Sequence, residues 1–450
     1  MASYYELRIV TTITTAAADS VVENFALGCT DYLPTAAPIE NSTATTGYSD
    51  GGMQQYARWR NRQEEIEIKF SDVATYDDAE LRLNIAHLRA ENVATPRVYL
   101  YARHLGETDF WRTRLYTARL TPSENSGTFL RSGGEFMATL EIERDYYWER
   151  AAIELLRFDN PIAPGNIVTT RNITNNWVLS APAATAPIAR ITADFIKGTL
   201  PTPVYLFIKN TSTGVNHISR IHIGHNWRSD PATFEPRLGS LAATPITGSA
   251  EQTLYGVAIL APAASGMRGS WFRVLLASSN LPGDSLLSIE LEDTFGVLLY
   301  KSTQVSVWYN GQTLTDAGSV PLPPVPIPLP AVINLRVMIQ IPSNAGSVNI
   351  NSGVFLMPAD SYRMLLGQPG FNIKISDTLH DLQSTDSPPF AVMSAFGTSY
   401  YPLTPHYGKI WLVPGRHNAL YFMATDAADA MDTSLTYDIS GQYRPRRLTI

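Results

Sequence analysis

The sequence predicts a mainly β protein: a β-sandwich with one α-helix, then a jelly-roll-type β-sandwich, then further C-terminal strands. Three observations predict it. Apolar and polar residues alternate with period two in many short segments, which is the signature of half-buried strands. One stretch alone, about 75–91, combines helical spacing with start and stop signals. The composition, with 22 Tyr, 30 Pro and 29 Gly in 450 residues, suits strands punctuated by turns. A chain of this length that is 44% hydrophobic and 17% charged has room for two or three cores.

Residues 3–15 alternate as a strand. A Gly/Ser/Thr-rich stretch over 40–53 reads as a loop, the place where regular structure is least expected. YARWRNRQEEIEIKF follows as a strand or hairpin, with Ile66, Ile68 and Phe70 on one face and Glu65, Glu67 and Lys69 on the other. In TYDDAELRLNIAHLRAEN, Thr75 is the expected N-cap with Asp78 in the capping-box position. Asp77, Asp78 and Glu80 fill the positive first turn. Leu81, Ile85 and Leu88 make the expected apolar stripe, and Asn92 and Pro96 close the helix. PRVYLYARHLGETDFWRTRLYTARL supplies two more strands and GEFMATLEIERDYYWE another, so residues 1–160 form the first unit.

LEIERDYYWERAAIELL, residues 140–156, concentrates carboxylates and aromatics. Glu141 and Glu143 alternate with Leu140 and Ile142, which puts both acids on the wet face of a strand. Side chains two apart on a strand lie roughly 6.5–7 Å apart, a gap that overlaps the carboxylate spacing of inverting glycosidases. Every alternating strand produces that gap, so scaffold outweighs catalysis.

Beyond Trp148, FDNPIAPGNIVTTRN marks a boundary. Residues 161–360 then give short strands with turn signals between them, the pattern of a jelly-roll-like accessory sandwich. SVPLPPVPIPLPAV, at 319–332, holds six prolines and reads either as a polyproline linker or as an edge passage within that sandwich, the second being favoured. Residues 361–450 are β again, either a separate small domain or the completion of the preceding sandwich.

The net charge of −7 and pI near 5.7 argue against a general nucleic-acid binder. Arg444, Arg446 and Arg447 form the one compact basic cluster and read as a solvated tail. The single cysteine, Cys29, excludes an internal disulfide framework. The start MASYYELRIVTTITT is not that of a signal peptide, and no apolar run reaches membrane-spanning length, so synthesis in a cytoplasm and no membrane insertion are expected. No phosphate loop, dinucleotide fingerprint, nucleophile elbow or zinc-protease motif occurs, and no cofactor is expected. His217, His222 and His225 read as surface histidines, because strand spacing puts His222 on the opposite face from the other two. Asp426, Asp429 and Asp432 lack the alternation and glycine of a calcium loop. Trp227, in HNWRSDP, is the best exposed candidate for stacking on a sugar.

The order of these segments resembles the distal-tail and tail-tip structural proteins of long-tailed bacteriophages. The helix between EIEIKF and PRVYLYAR resembles their tube-forming domain, and TLEIERDYYWE resembles the strand whose aromatic-aromatic-Trp-Glu end closes it. IKGTLPTPVYLFIKN resembles the Gly-x-Leu-Pro-x-Pro passage that opens their accessory sandwich. SGVFLMPAD is similar to one of its strands, and LVPGRHNALYF with QYRPRRL resembles its closing turn and final strand. The long loop at 40–53 and the proline density at 319–332 depart from the pattern.

The resemblance implies a structural, non-enzymatic virion protein. It would assemble as a ring, usually sixfold, around a central channel through which DNA passes only in transit. Neighbouring tail-tube and tail-tip proteins are the implied partners, and the virion tail the implied location. An acidic chain suits a bore that DNA must cross without sticking. Within that reading, Asn41, Ser42, Thr43, Gly47, Tyr48, Gly51 and Gly52 form an intersubunit arm. Two alternatives remain open: a carbohydrate-binding jelly roll contacting host-surface glycans through Trp227, and a glycoside hydrolase using acids such as Glu141 and Glu143.

Overall fold

In the computed structural model, the described residues are 5–14, 19–30, 39–45, 52–92, 96–123, 136–160, 162–174, 188–192, 195–212, 219–226, 237–260, 271–307, 311–321, 332–343, 347–358, 363–367, 372–376, 390–394, 398–402, 410–416, 418–426 and 434–450, with 32, 34, 36 and 38. Among them every named element is a strand except one helix, and every named strand pairing is antiparallel. The mainly β, single-helix architecture matches the sequence expectation.

The first unit contains β1 (Tyr5–Thr14), β2 (Asp19–Thr30), β3 (Ile39–Thr45), β4 (Gly52–Trp59), β5 (Arg62–Phe70), α1 (Val73–Asn92), β6 (Pro96–His104), β7 (Trp111–Pro122), β8 (Phe136–Arg144) and β9 (Trp148–Arg150). The main sheet runs β2-β1-β6-β7-β8-β5. β7 makes the corner: Trp111–Arg114 lies within its pairings to β6 and β9, and Leu115–Pro122 pairs with β8. Tyr116 is the extra residue where the register slips, a bulge that bends the strand from one half of the sheet to the other. Leu7, Ile9, Leu27, Ile66, Ile68, Leu100, Leu140 and Trp148 fill the space between the halves.

α1 packs over this core on Tyr76, Ala79, Leu83 and Ala86. Two details differ from the sequence reading. Asp72 is the N-cap, its Oδ1 accepting the Thr75 amide at 2.7 Å, so the helix starts earlier than a Thr75 cap implies. The buried stripe is also rotated: Leu81 is 59% exposed, because two alanines bring the backbone close to the sheet on the neighbouring face.

Two further cores follow. One joins strands Glu154–Leu155, Thr170–Thr174, Thr202–Asn210 and Asn372–Ser376 with the late strand Thr436–Tyr443 in one sheet. Its facing sheet holds Phe158–Asp159, Ile188–Ile191, Ser219–Asn226 and Arg363–Gly367 around the late strand Asn418–Asp426. The other core lies between sheets drawn from 237–358, with Phe272, Leu287, Ile289, Val337, Phe355 and Leu356 at its centre. Strand pairing therefore carries the segment after 360 back to strands before 226, and 237–358 packs as an excursion between them. The proline run joins strand Gly311–Pro321 to strand Val332–Gln340, and both contribute to the same core.

Candidate functional site

Three features of the first unit stand out, and all grow from local sequence. The first is an acidic sheet face. β5 shows a strict alternation of burial, with Ile66, Ile68 and Phe70 inside and Glu65 and Glu67 exposed. β8 behaves alike: Leu140 and Ile142 are buried, Glu141 is exposed and Glu143 half-buried. Glu65 stands directly across from Glu141, and Arg119 of β7 flanks Glu141 on its other side. These residues line an open groove of about 850 Å³ together with Glu64, Glu67, Glu143 and Arg62. Glu65 and Glu141 repel each other as like charges directly opposed on a sheet, and Arg119 on the other side of Glu141 offsets that repulsion. A glycosidase acid is held protonated by burial, whereas Glu141 faces water.

One wall of the groove is pinned from below. Glu64 accepts two bonds from Arg144, 2.7 Å from Nε and 3.1 Å from Nη2, and a third from the Tyr32 hydroxyl at 2.5 Å. Burial, with Glu64 adding to it, pushes the Tyr32 phenol well above its usual range, so it stays a donor. The Arg144 guanidinium, fully buried, also lies 5.0 Å from the Trp148 ring.

The second feature is a hairpin. The stretch read as a loop, 40–53, holds most of β3 and the start of β4, which pair from Ile39↔Trp59 to Thr45↔Gly52. Thr and Ser tolerate extended backbone, so this polar ribbon carries no hydrophobic alternation to announce it. Among the described residues it is a two-stranded sheet of its own. Asn41, Ser42 and Thr43 lie on β3 and Gly52 opens β4, while Gly47, Tyr48 and Gly51 fall outside the described residues. Trp227 also falls outside them.

The third feature is a buried junction that sequence reasoning missed. The C-terminal arginines are no solvated tail: strand Arg446–Arg447 pairs with β9, and Arg444 and Arg446 are buried. Glu149 accepts from Arg112 at 2.9 and 2.8 Å and from Arg446 at 3.5 Å. The Arg446 guanidinium lies 3.9 Å from the Tyr147 ring and donates to the Tyr147 hydroxyl at 3.1 Å. Burial opposes the charge of Arg446, but Tyr147, Glu149 and neighbouring acids outweigh it and raise its pKa. Gly198, at φ 103°, lets the 198–200 backbone close on Arg446; a Cβ there would meet the Arg446 carbonyl at 2.7 Å. Thr199 and Leu200 amides donate to that same carbonyl at 2.8 and 3.1 Å. DYYWE, GTLP and YRPRR, far apart in the chain, thus meet at one point.

Elsewhere, His222 and His225 are buried and not on the surface, since their strand is covered on both faces. Burial pushes both down to about 4, so they are neutral at physiological pH. His217 and residues 427–433, with Asp429 and Asp432, fall outside the described residues. Among the described residues no cluster of metal-ligating side chains forms, and no helix is long and apolar enough to cross a membrane. The closing turn is built by Asn418, whose side chain donates to the Val413 and Arg416 carbonyls at 3.1 and 2.9 Å.

No protein-family model matches the chain, and no curated protein does. Among solved structures, the chain is similar to the Dit protein of phage SPP1, described as a hub of the adsorption apparatus in Gram-positive-infecting phages. Identity is 11%, with 98% of this chain and 99% of that one covered, at a TM-score of 0.26. It is also similar to a chain of the phage P2 baseplate in its activated conformation, at 11% identity, 98% coverage of each chain and a TM-score of 0.28. A third likeness, to the VP2 capsid protein of infectious bursal disease virus, has 8% identity, covers 65% of this chain and 80% of that one, and has a TM-score of 0.18. At TM-scores this low the matches carry no structural argument, which leaves function to be argued from the chain's own residues.

Proposed function

We propose that this protein is a structural component of a phage tail, a ring-former at the distal tail or tail tip that surrounds the DNA channel and joins the tube to the tip. The observation that carries this reading is the β3–β4 hairpin. An isolated two-stranded ribbon is marginal in water, and this one pairs with no other strand among the described residues. A ribbon of that kind gains its stability by lying against another subunit, and repetition of one such contact around an axis closes a ring.

The acidic face suits the wall of the channel. Exposed carboxylates at Glu65, Glu67 and Glu141 repel phosphate and let DNA pass without adhering. The buried junction ties this ring-forming unit to the sandwich that follows it, so the two move as one piece. In this reading the chain has three packing units: 1–150, then 154–226 with 363–443, with 237–358 set between them.

Removal of residues 41–52 tests the proposal. The deleted protein is expected to fold, by circular dichroism, and to remain monomeric by light scattering and negative-stain imaging under conditions where the full chain forms rings. Rings formed by the deletion variant would overturn the arm.

A further inference from the structure

Fourteen large apolar side chains stand exposed among the described residues, and four of them fall within five consecutive positions. Phe295 is 88% exposed, Val297 57%, Leu298 51% and Leu299 43%. They crown the turn between strands Leu286–Glu292 and Leu298–Lys301 of the 237–358 unit, with Leu299 the extra residue where the register slips. A single exposed leucine is ordinary, whereas a contiguous apolar tip marks a contact surface.

The turn is held stiffly. Asp293 Oδ1 accepts the Phe295 and Val297 amides, each at 2.8 Å. The Gly296 amide donates to the Asp293 carbonyl at 3.1 Å, and the Asp293 amide donates to the Val297 carbonyl at 3.0 Å. Asn334 adds a bond to the Asp293 carbonyl at 3.2 Å, and Gly296 takes the left-handed φ of 77° that closes the loop. All three amides from Phe295 to Val297 are thus satisfied inside the turn, so the tip can leave water without stranding a backbone donor. Below the tip the charges are paired: Glu292 with Arg336 at 2.8 Å, and Lys301 with Glu251 and Glu290 at 2.6 and 2.9 Å.

We propose that the 293–299 turn is a wedge that inserts into the surface of a zwitterionic lipid bilayer. Four such side chains expose on the order of a few hundred Å² per copy, so two copies meeting tip to tip fall short of the roughly 1,200–2,000 Å² that a stable protein pair buries. Lipid needs no matching pocket, because acyl chains close around a protruding phenyl and the burial of apolar area supplies the attraction. Charge selects the lipid. Glu251, Glu290, Glu292 and Asp293 outnumber Lys301 and Arg336 around the base of the turn, and the chain carries a net charge of −7. An anionic headgroup is repelled by that collar, while a zwitterionic one presents an ammonium to it. The wedge reaches only the boundary between headgroups and acyl chains and spans nothing, and it does not depend on ring assembly.

The full-length protein is mixed with phosphatidylcholine vesicles, or with vesicles in which part of that lipid is replaced by phosphatidylglycerol, and binding is read by flotation. Wild type is expected to float with phosphatidylcholine equally at low and at physiological salt, and to float less with the anionic vesicles. Phe295→Ser should cut the partition by about tenfold or more, and Phe295→Trp should at least preserve it. Leu105→Ser, at an exposed leucine on the turn after β6, should leave it unchanged. Thermal midpoints check folding, and should Phe295→Ser unfold, Val297→Ser decides in its place. Three results overturn the wedge: no flotation of wild type with phosphatidylcholine, equal flotation of wild type and the serine variants, or flotation that rises with phosphatidylglycerol. Self-association in light scattering that Phe295→Ser abolishes, with the vesicles left bare, overturns it too and makes a second copy the occupant.

Discussion

Glu141 and Glu149 are eight residues apart in one continuous segment, and they live in opposite worlds. Glu141 stands exposed across from Glu65, a like charge, with water as its main partner. Glu149 is buried between Arg112 and Arg446, with a tyrosine ring alongside. The strand keeps its alternation through Arg144, so its acids up to Glu143 fall on the outer face. After Asp145 the chain turns a corner, and β9 pairs with β7 on one side and with the returning C-terminal strand on the other, which sets Arg446 directly across from Glu149. What separates the two acids is therefore burial and the residues their neighbouring strands set across from them, two arginines for Glu149 and one arginine with one glutamate for Glu141.

The sharpest way to break that comparison is Glu149→Gln. It leaves Arg112 and Arg446 buried without a shared countercharge, and removing one partner of a buried ion pair costs about 3–5 kcal/mol. Guanidinium denaturation should show the loss directly. Arg446→Met should cost less, since Arg112 still neutralises Glu149 and the methionine fills part of the space over Tyr147. Equal costs for the two would mean that packing, and not charge, holds the junction.

The same contrast explains what the amino-acid order made legible. Period-two alternation in EIEIKF and TLEIER was readable because it depends on the strand alone, and burial follows it residue by residue. The helix was readable too, but its buried stripe was not: Ala79 and Ala86 face the sheet where the larger Leu81 looked the stronger signal. The β3–β4 ribbon escaped because Ser, Thr and Asn give no apolar period. Arg446 escaped because its partners Tyr147 and Glu149 lie 299 and 297 positions earlier, and a run of arginines at a chain end looks solvated until those partners are known. The acidic face could be found from sequence; the junction needed long-range pairing.

A pH series sharpens the comparison with opposite signs. Burial raises the Asp145 carboxyl above its usual 3.8, although Tyr116, Arg446 and Arg114 pull it down. A group whose folded pKa lies above the unfolded value contributes fully below 3.8 and loses that contribution as pH rises through the folded pKa. Glu6 behaves in reverse. Burial raises it, but Arg103 and Arg8 together outweigh burial and hold it below 4.5, so its contribution is present above 4.5 and is lost as pH falls. Relative to wild type, Asp145→Asn should gain stability as pH rises from 3.8, and Glu6→Gln should gain as pH falls below 4.5. Denaturant midpoints measured across that range give both signs from one set of samples.

The smallest effect is expected at the exposed end of the comparison. Glu141→Gln with Glu143→Gln should change stability by no more than about 0.5 kcal/mol, since surface substitutions away from caps, cores and networks rarely do more. Glu143 gives up at most one long bond from Asn61 at 3.3 Å. Glu141 loses a neighbouring cation in Arg119 but also its repulsion from Glu65, and the two nearly offset. A loss above about 1 kcal/mol would show the acids to be structural, and the channel-wall reading of this face would fall with it. A near-zero change leaves the carboxylates without a role in the fold of the single chain. In the proposed assembly, their concentration on one open sheet face serves what passes over that face.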